Sequence, residues 1–136
     1  MIVIGFDRDL TVDVNGGPIP LALVRRFAGD KNFEVWAIGN QRLKEEAGIP
    51  GIDEMKERLG QGPKSRDNKK NAELNILSKT ERNIKAKIER CRMLKQLFPS
   101  ATKYIVVGDF DVSAAEGWEW FSPAAFLNAA SEIQST

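Results

Sequence analysis

The sequence contains no histidine and a single cysteine, Cys91, and both shortages narrow the chemistry open to the chain. Without histidine there is no imidazole base, no Ser-His or Cys-His nucleophile pair and no His-ligated zinc site. One cysteine excludes an internal disulfide and a multi-cysteine metal site. Carboxylates and lysines remain as the reactive groups, and oxygen ligands alone favour a hard cation, Mg²⁺ before Ca²⁺.

Long hydrophobic runs are also missing. No apolar run approaches the roughly 20 residues of a membrane span, and the N-terminus lacks a basic region followed by an apolar one, so we expect a cytoplasmic protein with no membrane partner. The 136 residues are 42% hydrophobic and 29% charged, with a net charge of +1. This length and composition predict one domain, residues 1–136, with a hydrophobic core of its own.

Short apolar runs alternate with segments of helical spacing. The runs cover residues 2–6, 33–38, 104–107 and 118–121, and the helical segments cover residues 20–29, 41–47, 78–98 and 123–133. Such alternation predicts an α/β fold: a three-layer, Rossmann-like domain with a central, mostly parallel sheet and helices on both faces. Two segments interrupt the pattern. Residues 12–18 are predicted to form a flap or hairpin, and residues 56–80 a mobile basic segment.

Candidate ligand-binding residues follow three of the predicted strands. They are Asp7 and Asp9 after the first, Gly39 and Asn40 after the second, and Asp109 and Asp111 after a later one. Ligands of parallel sheets bind at the carboxyl ends of the strands, near the switch point in strand order. We therefore expect these residues to face one crevice. An ordinary acidic turn after each strand is the alternative reading.

Two of these strand ends carry recognisable motifs. Residues 2–11, a hydrophobic strand followed by Asp-x-Asp-x-Thr, resemble the first motif of the haloacid dehalogenase-like (HAD) phosphohydrolases. Residues 104–111, an apolar strand ending in Gly108-Asp109, resemble the fourth motif of that family. The resemblance implies a Mg²⁺-dependent phosphatase that works through an aspartyl-phosphate intermediate.

The resemblance also implies a role for each matching residue. Asp7 would be the nucleophile, and Asp9 would protonate the leaving oxygen and then activate water. Mg²⁺ would be held by Asp7, the backbone carbonyl of Asp9 and Asp109, with Asp111 as a further candidate ligand. Thr11 would fix the loop and contribute to the substrate-binding set.

The family further needs a lysine that holds the phosphoryl oxygens. A strand ending at Gly108 is about 20 Å long, and an antiparallel helix climbs that height in about 13 residues. Counting back from the end of the predicted helix makes Lys85 and Lys87 the candidates. Lys87 is favoured because it falls between Ile84 and Cys91 on the apolar stripe. A solvated lysine on a basic helix is the alternative.

Two departures from the family pattern favour a second interpretation. The second motif ends in Ser or Thr, whereas this chain has Ile38, Gly39 and Asn40, so we expect Asn40 and the N–H of Gly39 to bind the phosphate instead. The second acid of the fourth motif is replaced by Ser113 and Ala114. The alternative function is a catalytically weak or inactive HAD-like domain that binds a partner or a phosphorylated ligand.

Spacing and charge bear on the partners. The intervals 12–38 and 41–86 are too short for a full cap domain, so the site is expected to be open to a large phosphorylated substrate or to a second subunit of a homo-oligomer.

Residues 56–95 carry thirteen Lys or Arg against five acids, a local charge of +8. A nucleic-acid partner stays open on that ground, although no aromatic residue interrupts the run and a solvated surface is the simpler reading.

Overall fold

The computed structural model describes residues 1–61 and 78–135, and these form a parallel sheet between two layers of helices. The strands in this part of the chain are β1 (Ile2–Phe6), β2 (Phe33–Ala37), β3 (Lys103–Val107) and β4 (Glu119–Phe121). Their order is β2-β1-β3-β4, and every pairing is parallel. All five residues of β1 are buried, as expected for a strand covered on both faces.

Five helices and one 3-10 turn connect the strands in the described ranges. They are the 3-10 turn Asp13–Asn15, α1 (Leu21–Ala28), α2 (Arg42–Ala47), α3 (Ile52–Arg58), α4 (Lys79–Leu97) and α5 (Pro123–Gln134). Ser78 caps α4 by accepting a hydrogen bond from the N–H of Glu81, and Ser122 caps α5 in the same way. None of these helices combines the length and the apolar character needed to cross a membrane.

Alternate side chains of β1 enter two separate cores. Phe6 packs with α1, α2 and α5 on one face, and its ring meets that of Phe126 edge to face at 5.2 Å. Val3 packs on the other face with residues of α3 and α4, including Met55 and Leu94. Burial of each such side chain contributes about 1.5–3 kcal/mol. The predicted three-layer, Rossmann-like α/β fold is thereby confirmed.

Cys91 belongs to the core on the α4 side of the sheet. Its side chain is fully buried, as expected of a small hydrophobic residue on the inner stripe of a helix. Burial raises the pKa of the thiol to about 12. Cys91 therefore contributes packing and stays a neutral thiol at neutral pH.

Three segments differ from the sequence predictions. Residues 12–18 are not a β-hairpin, because Val12 pairs with Ile19 in a single parallel bridge around the 3-10 turn. Helix α3 was not predicted at all, since it is short and only Met55 is buried, which leaves no helical period to read. The predicted mobile segment 56–80 has helical ends, residues 56–58 in α3 and 79–80 in α4, and residues 62–77 lie outside the described residues.

Candidate functional site

The candidate site lies at the carboxyl end of β1, the central strand from which the chain goes first to β2 and later to β3. This is the switch point in strand order, where parallel sheets bind ligands. An open cleft of about 580 Å³ lies there. It is lined by the predicted residues Asp7, Asp9, Gly39, Asn40, Lys87 and Asp109, and also by residues that were not predicted, such as Arg8 and Arg90.

Asp7 is the most deeply buried acid of the cleft, with 4% of its surface exposed. Its Oδ2 lies 3.1 Å from Nζ of Lys87, while Oδ1 has no hydrogen-bond partner among the described residues. Burial raises the pKa of Asp7, and the charge of Lys87 opposes this rise. The site thus holds a carboxylate with one paired oxygen and one free oxygen.

Two glycines make room for this carboxylate. A Cβ on Gly39 would lie 2.3 Å from Oδ1 of Asp7, and a Cβ on Gly108 would lie 2.3 Å from Oδ2. Both contacts are far closer than van der Waals distance. The ends of β2 and β3 therefore need glycine at these positions for Asp7 to sit between them.

Lys87 projects from α4 into the cleft. Its ammonium group lies between Asp7 and the ring of Phe110, 4.5 Å from the ring centroid, and the side chain is 12% exposed. Lys85, the other candidate, is exposed and does not line the cleft. Of the two lysines, only Lys87 is placed where it can hold a phosphoryl group beside Asp7.

The carboxylate of Asp9 is held by three donors at the mouth of the cleft. Its oxygens accept hydrogen bonds from Asn15 Nδ2 at 2.7 Å, Arg8 Nη1 at 2.9 Å and Asn40 Nδ2 at 3.2 Å. These bonds, that of Asn15 foremost, hold the pKa of Asp9 below its ordinary value. The Asn40 side chain thus supports Asp9, although the residue also lines the cleft.

Arg8 ties the loop after β1 to α2. Its Nε and Nη2 donate to the two carboxylate oxygens of Glu46 at 2.7 and 3.0 Å. Glu46 is held in turn, because its backbone carbonyl accepts two hydrogen bonds from Arg25. The sequence does not predict this network, because no residue near Arg8 in the chain indicates that α2 will pass beside it.

Thr11 is buried in the loop and does not line the cleft. Its hydroxyl donates to the backbone carbonyl of Asp9 at 3.3 Å, and the N–H of Val12 donates to the carbonyl of Arg8 at 2.9 Å. Leu10, which lies between Asp9 and Thr11, has a φ of 57°. This left-handed conformation costs a non-glycine residue about 1–2 kcal/mol. Thr11 therefore shapes the loop, and a direct contact with substrate is not supported.

At the end of β2, Ile38 and Gly39 are placed differently. The Ile38 side chain is buried in the core and packs over Gly5, so it does not face the cleft. The residue that faces Asp7 is Gly39. A hydroxyl of the kind that ends the second HAD motif is therefore absent at Gly39, where any side chain would collide with Asp7.

The two later acids are placed differently. Asp109 follows β3, is exposed and lines the cleft with Asp7. Asp111 does not line it, and its carboxylate accepts a hydrogen bond from the N–H of Ser113 at 2.8 Å within its own turn. Asp111 thus stabilises its own turn and does not line the cleft. Its position two residues after Asp109 did not indicate this difference.

The oxygen groups at the ends of β1 and β3 are of the kind that a small hard cation takes as ligands, with waters completing its shell. The unpartnered Oδ1 of Asp7, the carboxylate of Asp109 and the backbone carbonyl of Asp9 belong to two neighbouring strand ends. No group of three or more His, Cys, Asp or Glu side chains forms a metal cluster in residues 1–61 and 78–135. Any cation here would therefore be held by two carboxylates at most.

Arg90 is a further cation that lines the cleft, and its sequence context indicated only that it belongs to the basic segment. Its Nη1 donates to the backbone carbonyl of Ile38 at 2.5 Å, so the guanidinium sits beside the chain that leads into Gly39. The signal was present in the spacing, because Arg90 follows Lys87 by three residues and the two share a helix face.

Comparisons of the chain with protein-family models, curated proteins and solved structures give no match. The HAD resemblance consequently depends on the two motifs and on the arrangement of their residues. The expected nucleic-acid and homo-oligomer partners stay predictions, since much of the basic segment lies outside the described residues.

Proposed function

We propose that the chain is a Mg²⁺-dependent phosphatase of the HAD type, with Asp7 as the nucleophile. One observation carries the proposal: a nearly buried carboxylate at the end of the central strand, in a residue that lines an open cleft, has one oxygen on Lys87 and the other buried without a partner among the described residues. Leaving a buried oxygen unpaired costs stability, and such costs are concentrated at functional sites.

The reaction would proceed in two displacements. An oxygen of Asp7 attacks phosphorus, the bond from phosphorus to the leaving oxygen breaks, and Asp9 gives that oxygen a proton. Water then attacks the phosphorus of the aspartyl phosphate, Asp9 takes its proton, and inorganic phosphate leaves with Asp7 restored. Lys87 stays beside Asp7 throughout and offsets the negative charge that gathers there.

The binding of Mg²⁺ is part of the same proposal. Asp7, Asp109 and the backbone carbonyl of Asp9 would hold Mg²⁺, which when bound neutralises charge between the nucleophile and the phosphate. The described chain between 12 and 38 is occupied by the 3-10 turn, α1 and β2, and no cap domain is inserted there. A cleft with no cap inserted between residues 12 and 38 would suit a phosphate carried by a large molecule.

The test is hydrolysis of p-nitrophenyl phosphate in Mg²⁺, in Ca²⁺ and in EDTA. We expect Mg²⁺-dependent turnover by the wild type that is lost in Asp7→Asn. Asp53→Asn is the matched control, because Asp53 is exposed on α3 and does not line the cleft. Equal turnover by Asp7→Asn and the control would remove Asp7 from the chemistry and overturn the proposal.

A second candidate function is a phosphate-binding domain with little or no turnover. Two observations favour it: Gly39 offers no hydroxyl, and the three donors on Asp9 keep that residue ionised when the first step needs its proton. Phosphate binding by calorimetry without turnover would support this candidate. If the protein shows no turnover and binds neither phosphate nor Mg²⁺, the proposed site is wrong.

A further inference from the structure

Arg90 and Lys87 form a cationic pair on one face of α4. They are three residues apart, about one helical turn, and both line the cleft that contains Asp7. Lys87 is engaged with Asp7 at 3.1 Å, whereas Arg90 is tethered to the Ile38 carbonyl at 2.5 Å. The tether fixes the guanidinium next to the end of β2.

The guanidinium of Arg90 is half-buried and lacks an anionic partner. It has five N–H donors, of which one reaches the neutral carbonyl of Ile38, and no carboxylate of residues 1–61 or 78–135 lies within 4.0 Å of it. Burial lowers the pKa of Arg90, and the attraction of Asp7 only partly opposes this. A half-buried cation in this state is stabilised when an anion enters the cleft beside it.

The backbone at Gly39 explains why such a donor is needed. A side chain at position 39 would place its Cβ 2.3 Å from Oδ1 of Asp7, so this strand end cannot present a hydroxyl while Asp7 keeps its place. The donor must therefore come from another element. Arg90 is held at the carbonyl of the residue immediately before Gly39, and its planar fork suits two phosphoryl oxygens at once.

We infer that Arg90 is a phosphate-binding residue that, together with Lys87, supplies the donor missing at Gly39. The inference depends on the proposed function for its reaction but makes a separate claim about binding. The ligand chemistry is a phosphoryl group with at least two free oxygens, whether on a substrate or as inorganic phosphate.

The test measures binding of inorganic phosphate by calorimetry in Mg²⁺, together with KM and kcat for p-nitrophenyl phosphate. The variants are Arg90→Gln and Arg90→Lys, with Arg92→Gln as the matched control. Arg92 lies on the same helix, is exposed and pairs with Glu89 outside the cleft. We expect Kd and KM to rise about 10-fold or more in Arg90→Gln, less in Arg90→Lys, and to stay within about twofold in the control.

Three results would overturn the inference. They are a wild type that binds no phosphate at millimolar concentration, a Kd in Arg90→Gln that moves no more than in Arg92→Gln, and variants whose Tm falls while Kd is unchanged. The last would make Arg90 a purely structural anchor of the Ile38 carbonyl. Arg90-dependent phosphate binding without turnover would support the inference and contradict the phosphatase proposal, so the two can fail separately.

Discussion

The ammonium group of Lys87 lies 3.1 Å from Oδ2 of Asp7 and joins the middle of α4 to the end of the central strand. The side chains of the pair are 12% and 6% exposed. Burial raises the pKa of Asp7, and Lys87 is the largest influence that opposes it. Lys87 therefore favours the ionised form of Asp7, the proposed nucleophile.

Replacing Lys87 by methionine should abolish most turnover while keeping the fold. The variant loses the cation beside the proposed nucleophile and the phosphate that it would attack, for which we expect kcat to fall about 100-fold or more. Lys85→Met is the control, since it removes the same charge from an exposed position two residues away. Comparable losses of kcat for p-nitrophenyl phosphate in both variants would mean that Lys87 acts only through the general charge of α4.

Adding one methyl group at Gly39 should be as damaging as removing a catalytic group. The Cβ of Gly39→Ala would lie 2.3 Å from Oδ1 of Asp7 and would push the carboxylate from its place. A shift of about 1 Å can cost a hundredfold in rate. Gly29→Ala is the control, because its Cβ would meet Arg25 at an ordinary 3.4 Å. Full kcat in Gly39→Ala would show that the glycine does not set the position of Asp7.

Much of the fold could be predicted because buried parallel strands have continuous apolar sequences and the longer helices carry clear caps. The capping box at Ser78 and the proline at the start of α5 located both helices. Helix α3 could not be found, since a short helix with one buried residue has no period. The parallel bridge of Val12 with Ile19 depends on where the chain returns after its turn, which local alternation does not encode.

The candidate site was predictable where residues follow strands and not where partners come from helices. Asp7 and Asp109 follow neighbouring parallel strands. Because the carboxyl ends of parallel strands meet at one edge of the sheet, both residues line one cleft. The pairing of Arg8 with Glu46 requires the position of α2. Arg90 was overlooked because an arginine among many basic residues resembles a solvated one, and burial is known only once the helix is packed.

Asp7→Asn should stabilise the protein at neutral pH in the absence of metal. Because burial raises the pKa of Asp7, the folded state binds this proton more tightly than the unfolded chain, and stability falls as pH rises from the ordinary value of 3.8 through the raised pKa. Asparagine carries no such charge. We expect the free energy of unfolding in urea to be about 1 kcal/mol higher for the variant at pH 7.

This difference between Asp7→Asn and the wild type should shrink as pH falls below about 4, where both states of the wild type become protonated. The exposed Asp53→Asn variant should show little change at either pH. A less stable Asp7→Asn at pH 7 would mean that the ion pair with Lys87 outweighs the cost of burial.

Glu54 gives the opposite pH dependence at the start of α3. Its carboxylate lies 2.7 Å from Nζ of Lys44 and accepts a hydrogen bond from the N–H of Gly51 at 2.8 Å. The hydrogen bond from Lys44, first, and that from Gly51 lower the pKa of Glu54 below its ordinary value of 4.5. Its stabilisation is therefore present above pH 4.5 and is lost as pH falls through the lowered pKa.

Glu54→Gln should accordingly lower the free energy of unfolding at pH 7 by about 0.5–1 kcal/mol, a modest value because the pair is partly solvated. At a pH below the lowered pKa of Glu54, the variant and the wild type should have the same free energy of unfolding. Glu57→Gln on the same helix is the control, since Glu57 is exposed and forms no ion pair with the described residues. Equal losses in both variants at pH 7 would assign the effect to the net charge of α3, whereas a loss confined to Glu54→Gln would assign it to the contacts with Lys44 and Gly51.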